Sequence, residues 1–311
     1  MAQRQKTLAH IVQVEGIGLH TGRPARVTIR PAGEGEGIVF VRVDRGHAAI
    51  PAAARLLNGT SLSTTLSRGA DSVATVEHVL SALGGLGVDN ALVEVDGPEI
   101  PILDGSARPF VDLILKAGMR VQSAPRQFLA LTRPVRVKDG DKEILALPAN
   151  DFQVTYAIDF PHPAIGYQAT TARIEAAAYA SEIAPARTFC LMREIETMRR
   201  AGLAKGGSLD NAVVVGETGV VNGTLRFPDE FVRHKVLDLI GDLGLLGAPL
   251  RAHVIAFKAG HRLHAALVRR ILGSHAAWTS RTSDERLPAA EVAAFGHLKD
   301  RVLPSPVRAA V

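Results

Sequence analysis

The sequence predicts an α+β protein built from two similar halves, and three observations lead there. The chain has 311 residues, about twice a typical single domain, so two domains are the natural starting point. Both halves run strands, helix, strand, helix in that order. The segment His78-Val-Leu-Ser-Ala-Leu-Gly84 also resembles His234-Lys-Val-Leu-Asp-Leu-Ile-Gly241. Each is followed by a leucine–glycine turn and a strand, which suggests a duplicated unit.

The first half opens on β-rich text at Val27–Arg30 and Ile38–Val43, separated by the turn Pro31–Gly37. From Thr75 to Leu86 the apolar period becomes helical. Val76, Val79, Leu80, Leu83 and Leu86 repeat at that spacing, Thr75 is the expected N-cap, and Gly84-Gly85 marks the end. A strand follows at Ala91–Val95 and a second helix near Pro109–Ala117. The pattern breaks at Ser123–Arg126. β-rich text resumes as one stretch at Phe128–Val137, then at Ile144–Leu147 and Val154–Ile158. Helices are expected at Glu194–Ala201 and Asp229–Leu243, the latter with Val232, Val236, Leu239, Ile240 and Leu243 as its apolar stripe, and His253–Phe257 as the strand after it. Beyond Gly273 the text turns polar, with prolines at 288, 304 and 306, and a helix plus a loose end is expected.

Hydrophobic residues make up 47% of the chain and aromatic residues 5%, enough for aliphatic cores. The formal net charge of +5 suits an anionic substrate or an acidic membrane surface. Without a concentrated basic run it does not point to nucleic acid. Cys190 is the one cysteine, so no internal disulfide forms and a reducing compartment is expected. The N-terminal text has no signal-peptide core, and no apolar run approaches the roughly 18–20 residues of a membrane span. The expectation is a cytoplasmic monomer with at most peripheral membrane contact.

The residues that carry chemistry begin with His234 and Asp238. Four apart on a helix, they lie on one face and can ligate one ion through a nitrogen and an oxygen. The commonest meaning of such a pair is a solvated helix face. Here the helix is otherwise apolar and Asp242 continues the row, so unpartnered burial would be costly. Catalytic zinc takes three protein ligands, so a third must come from elsewhere. Glu77 adjoins His78 in the first turn of the other glycine-terminated helix. Neighbouring helical residues diverge by about 100°, which would set the carboxylate beside a metal held by the histidine, where a general base is useful. His261, expected on a tight glycine turn after a strand, could give a proton to a leaving amine. Asp242 would hold its ring and keep it charged.

Several longer motifs resemble the UDP-3-O-acyl-N-acetylglucosamine deacetylase family, zinc enzymes of the committed step in lipid A synthesis. These are Glu77-His78-Val-Leu-Ser-Ala-Leu83, Arg233-His234-Lys235 through Asp238 to Asp242, and Lys258-Ala-Gly-His261. Gly16–Gly22, Pro98–Ser106, Ala186–Phe189 and Lys205–Asn211 continue the match, so that it runs from about residue 5 to residue 272. The resemblance implies two β-α-α-β domains packed as a layered sandwich, with helices in the middle and the active site at the domain interface. Residues 1–124 would carry Glu77 and His78, residues 125–272 would carry His234, Asp238, His261 and an acyl-chain insert, and 273–311 would form a C-terminal helix and tail.

By the same resemblance His78, His234 and Asp238 hold zinc, with iron(II) as the alternative, Glu77 is the general base and His261 the general acid. Thr188 would meet the oxyanion, Lys235 and Phe189 the sugar and its substituents, Asp159 and Phe160 the uridine, and Lys258 the diphosphate. The stretch Met192–Gly207, through Ile195, Met198 and Leu203, would form the acyl passage. The substrate implied is a UDP-linked acylated amino sugar, from which acetate is released. Departures from the family pattern lie at Cys190, at Ser63-Thr64-Thr65, where some members carry cysteine, and in the tail Leu303–Val311. The rivals are a zinc deacetylase of another acylated amino sugar and a non-catalytic binding module of the same fold.

Overall fold

The computed structural model describes residues 2–221 and 223–303. The tail beyond Leu303, with prolines 304 and 306, lies outside the described residues. Within them the protein is α+β. The elements that position the site are β1 (Val12–Ile17), β2 (Pro24–Pro31), β3 (Ile38–Arg42), β4 (Ala48–Pro51), α1 (Glu77–Leu86), β5 (Ala91–Val95) and α2 (Arg108–Ala117). They are followed by β6 (Phe128–Leu131), β7 (Val135–Asp139), β8 (Lys142–Pro148), β9 (Gln153–Asp159), β10 (Tyr167–Arg173), α3 (Met192–Arg200), α4 (Glu230–Leu243), β11 (Leu250–Phe257), α5 (His261–Gly273) and β12 (Trp278–Arg281).

The first five strands form one sheet in the order β1-β2-β5-β3-β4. β2 buries Ala25, Val27 and Ile29, and β5 buries Ala91, Val93 and Val95. That is the period-two alternation of a sheet with one face on a core. In the second sheet β11 is the spine. From Ala252 to Phe257 it pairs antiparallel with β8, while its other edge pairs parallel with β6 at Leu250 and Arg251 and with β9 from His253 to Phe257. β12 extends β6 antiparallel. The inner residues of both sheets and of α1, α2, α4 and α5 belong to one contiguous buried cluster.

Glycine sets how closely the helices approach. α1 and α4 pack together, and a Cβ on Gly241 would stand 2.1 Å from the Glu77 carbonyl oxygen. A Cβ on Gly85 would stand 2.3 Å from the Tyr179 ring. Both helices are buried nearly all round, as expected of elements at the centre of a molecule.

Four sequence expectations need correcting. α1 starts at Glu77, with Val76 and not Thr75 at its cap; Thr75 has φ +56° and its hydroxyl donates to Glu99 Oε1 at 2.9 Å. The stretch 128–137 is two strands, divided before Pro134, which has no N–H to give to a ladder. His261 is no turn residue: it is the first residue of α5, whose Leu263, Leu267, Val268 and Ile271 are buried. After Gly273, the chain forms β12 and a short helix at Ala289–Ala293, and Val302 and Leu303 then cover Leu145, Leu147 and Ile255 on the outer face of the second sheet. Among the described residues no helix is long and apolar enough to cross a membrane.

Candidate active site

Three helices bring the polar groups together. α4 sets His234, Asp238 and Asp242 on one row, the first turn of α1 supplies Glu77 and His78, and α5 begins with His261. The ligand atoms of His78, His234 and Asp238 all lie within 4.8 Å of one another. Asp238 Oδ1 stands 3.3 Å from His234 Nε2 and 3.8 Å from His78 Nε2. His234 Nδ1–H donates to the Ala186 carbonyl at 3.0 Å, which fixes the tautomer and leaves the Nε2 lone pair toward Asp238.

Two observations fit this group to a cation. Asp238 Oδ1, the oxygen facing both imidazoles, is buried without any hydrogen-bond partner. A buried carboxylate oxygen without a donor is expensive unless a cation meets it. The imidazoles are also in the form a metal takes: burial, with His234 close by, drives His78 down to about 3, and burial lowers His234 as well. Burial opposes charge on Asp238, yet His234, Lys235 and His261 hold its carboxyl below the usual range. Lys235 Nζ donates to Asp238 Oδ2 at 2.8 Å. Two neutral imidazoles and a carboxylate suit zinc or iron(II).

Two further buried ionisable groups, Glu77 and His261, flank the triad. Glu77 Oε2 accepts the Thr64 amide at 3.0 Å, and Glu77 Oε1 stands 3.9 Å from His261 Nε2. Burial lifts Glu77 to about 8 against the pull of His261. A metal cation among the ligands would draw it down again. His261 Nδ1–H donates to Asp242 Oδ2 at 2.8 Å. Burial works against an imidazolium, and so does a helix N-terminus. Asp242 and Asp238 outweigh both and carry His261 up to about 10. The reciprocal effect holds Asp242 at about 2 despite its burial.

A cavity of about 460 Å³ opens onto these groups and also takes in Thr188, Phe189, Lys235 and Lys258. Thr188 is pinned by its backbone: its N–H donates to Gly105 O and its carbonyl accepts from Val213 N–H, each at 2.8 Å. Gly105 has φ +84°, and a Cβ there would meet the Asn211 carbonyl oxygen at 2.2 Å, so only glycine fits. Beside Thr188, the Arg187 guanidinium grips the fully buried Glu230 at 2.8 and 3.0 Å. Ile195, Met198 and Gly207 of the expected acyl insert line the cavity, whereas Leu203 does not and Met192 is exposed.

Asp159 and Phe160 do not line the cavity but stand at its edge. Asp159 accepts from Lys258 Nζ at 3.4 Å, and Phe160 packs edge-on against Phe189 at 5.6 Å. Lys258 is also paired with Asp141 at 2.9 Å. Sequence reasoning missed several participants. Thr64 bonds both Glu77 and, through its hydroxyl at 2.5 Å, Asp242 Oδ1. His20 is buried on the cavity wall with Nε2 unpartnered, its backbone held by Glu99. Lys142, Asp139 and Arg262 join Lys258 around the opening. His264 would have been visible as the i+3 neighbour of His261 had α5 been recognised; Thr64 and His20 sit in loops with no period to reveal them.

The chain matches known proteins along most of its length. The model of the family described as UDP-3-O-acyl N-acetylglycosamine deacetylase covers residues 5–273. The UDP-3-O-acyl-N-acetylglucosamine deacetylase of Anaeromyxobacter sp. (strain Fw109-5) is 51% identical over 94% of this chain and 97% of its own. Those of Myxococcus xanthus (49%, over 86% of each chain) and Teredinibacter turnerae (47%, over 95% and 98%) are similar in the same way.

Proposed function

Because the chain belongs to the UDP-3-O-acyl N-acetylglycosamine deacetylase family and is a deacetylase, we propose that it hydrolyses the N-acetyl group of UDP-3-O-(3-hydroxyacyl)-N-acetylglucosamine, the committed step toward lipid A. The observation that carries the reading is the convergence of His78, His234 and Asp238 from two helices, with Glu77 and His261 on its flank. Zinc is the expected ion and iron(II) the alternative. When bound, either supplies Lewis acidity to the acetamide carbonyl and to the attacking water.

The chain's own residues divide the remaining work. Glu77, held by the Thr64 amide, takes the proton from the attacking water as the carbon–oxygen bond forms. Thr188 offers its hydroxyl to the oxygen on which charge develops. His261, kept charged by Asp242, delivers a proton from Nε2 to the glucosamine nitrogen as the carbon–nitrogen bond breaks. Acetate and a free amine result. Lys235 and Phe189, stacked at 5.6 Å, are read as sugar contacts, Asp159 and Phe160 as uridine contacts, and Lys258 as a diphosphate contact. Ile195 and Met198, on one face of α3, would line the acyl passage.

We read residues 1–124 and 125–272 as two domains in a layered sandwich, a reading supported by the packing of α1 against α4. The protein is expected to act in the cytoplasm as a monomer, with a UDP-linked sugar and no nucleic acid as partner. The test is metal content measured together with acetate release. Wild-type protein should hold one ion per chain and release acetate from the UDP-linked substrate far faster than from the free sugar. His78→Ala should lose both metal and turnover; full turnover without metal, or no preference for the UDP-sugar, would refute the proposal.

A further inference from the structure

Behind His261 lies a second histidine that the proton flow described above does not use. His264 sits one turn further along α5 and has no exposed surface. Its Nδ1–H donates to Asp242 Oδ2 at 2.8 Å, the same oxygen that receives His261 Nδ1–H at 2.8 Å. Its Nε2 lies 3.0 Å from the hydroxyl of Tyr156 on β9, a side chain that is also fully buried. Thr64 closes the other carboxylate oxygen at 2.5 Å. Asp242 is thus gripped by three donors from a loop and from two positions of one helix.

Only one arrangement of protons lets His264 satisfy both neighbours well. An acceptor Nε2 takes the tyrosine proton, which forces the ring's own proton onto Nδ1, facing the carboxylate. In the other tautomer an imidazole lone pair would face a carboxylate oxygen at hydrogen-bond distance. Burial lowers His264 and raises Tyr156, so both stay neutral. A phenylalanine of similar volume would fill the same space and leave Asp242 free to turn about its remaining contacts.

We propose that Tyr156 and His264 form a fixed donor chain that orients Asp242 beneath His261, which makes His264 a positioning residue for proton delivery. It acts through Asp242, does not line the cavity, and is no member of the His78, His234 and Asp238 group, although with Asp242 and His261 it forms a second close cluster. The proposal rests on the reading of His261 as the proton donor.

The experiment compares metal-loaded wild type with H264F, H264N, Y156F and H264F/Y156F, measuring metal content, kcat and KM. In H264F kcat should fall about 10- to 100-fold, part of the 10²–10⁴ that a positioned acid contributes, with KM and metal content unchanged. H264N, whose amide can present an N–H to Asp242, should recover most of that loss. Y156F should lose less than H264F, and nothing further when added to H264F. Independently of turnover, NMR of ¹⁵N-histidine-labelled protein should show a slowly exchanging His264 Nδ1–H that vanishes or shifts in Y156F. Wild-type kcat in H264F would overturn the proposal. So would equal losses in H264F and H264N, or an Nε2–H tautomer for His264 in the wild type. Should H264F fail to fold or load metal, the comparison of Y156F and H264N with wild type decides alone. A wild type that releases no acetate refutes the deacetylase reading instead, and the NMR signal still reports on the donor chain.

Discussion

At the scale of single residues, the site works by setting the protonation of buried groups against one another. His261 is the clearest case, since its pKa rises to about 10 through Asp242 and Asp238 although burial pulls it down. A group whose folded pKa lies above its unfolded value favours the folded state most when it is protonated in both states. Its contribution is therefore complete below about pH 6.5 and is lost as pH climbs through about 10. The thermal midpoint of the metal-free wild type should accordingly fall relative to metal-free His261→Ala over that interval; parallel melting curves across it would count against the ion pair. Much of this constellation was legible. The spacing of His234 and Asp238 puts them on one face of an apolar helix and Asp242 extends their row, but that pattern most often means a solvated face, and it was the family resemblance that gave the pair a role. Thr64 could not be read, because its link to Asp242 spans 178 positions and no local pattern reports such a distance.

At the scale of elements, the crossing of α1 and α4 decides whether Glu77 and His78 meet His234 and Asp238. Gly241 lies between Asp238 and Asp242 and lets the Glu77 carbonyl approach to where a Cβ would be 2.1 Å away. Gly241→Ala should therefore cost about 1–3 kcal/mol by overpacking, read as a lower urea midpoint, and should reduce kcat because Glu77 and His78 shift with their helix. Gly84→Ala is the control: the nearest atom to a Cβ there is Ile240 Cγ2 at 4.0 Å. It should be neutral or stabilise by about 0.5–1 kcal/mol. Equal losses in the two variants would mean that helix propensity, and not the close approach, governs. Both helices were evident from apolar period, although the first runs through Gly84-Gly85, expected as its end, to Leu86 and is capped by Gly87. α5 was not, because a strand end followed by Lys258-Ala-Gly260 reads locally as a turn, and charges at Arg262, Arg269 and Arg270 interrupt the apolar pattern.

At the scale of the molecule, the second sheet has two covered faces. Its inner face meets α4 and α5, and its outer face lies under the segment from Phe295 to Leu303. A chain ending at Ala294 would expose Leu145, Leu147 and Ile255. At about 1.5–3 kcal/mol for each large aliphatic side chain, it should unfold at a lower urea concentration and bind an apolar dye. It should still release acetate when cold, since none of these residues lines the cavity; unchanged stability would show that the segment is dispensable. That cover was invisible in a polar-looking tail, where Phe295, Leu298, Val302 and Leu303 are too few to set a period. The same long-range logic governs how the protein is made. The first of the three proposed metal ligands stands at position 78 and the other two at 234 and 238. A growing chain therefore carries His78 alone while more than 150 further residues are added, so the ion can be captured by all three ligands only late in synthesis.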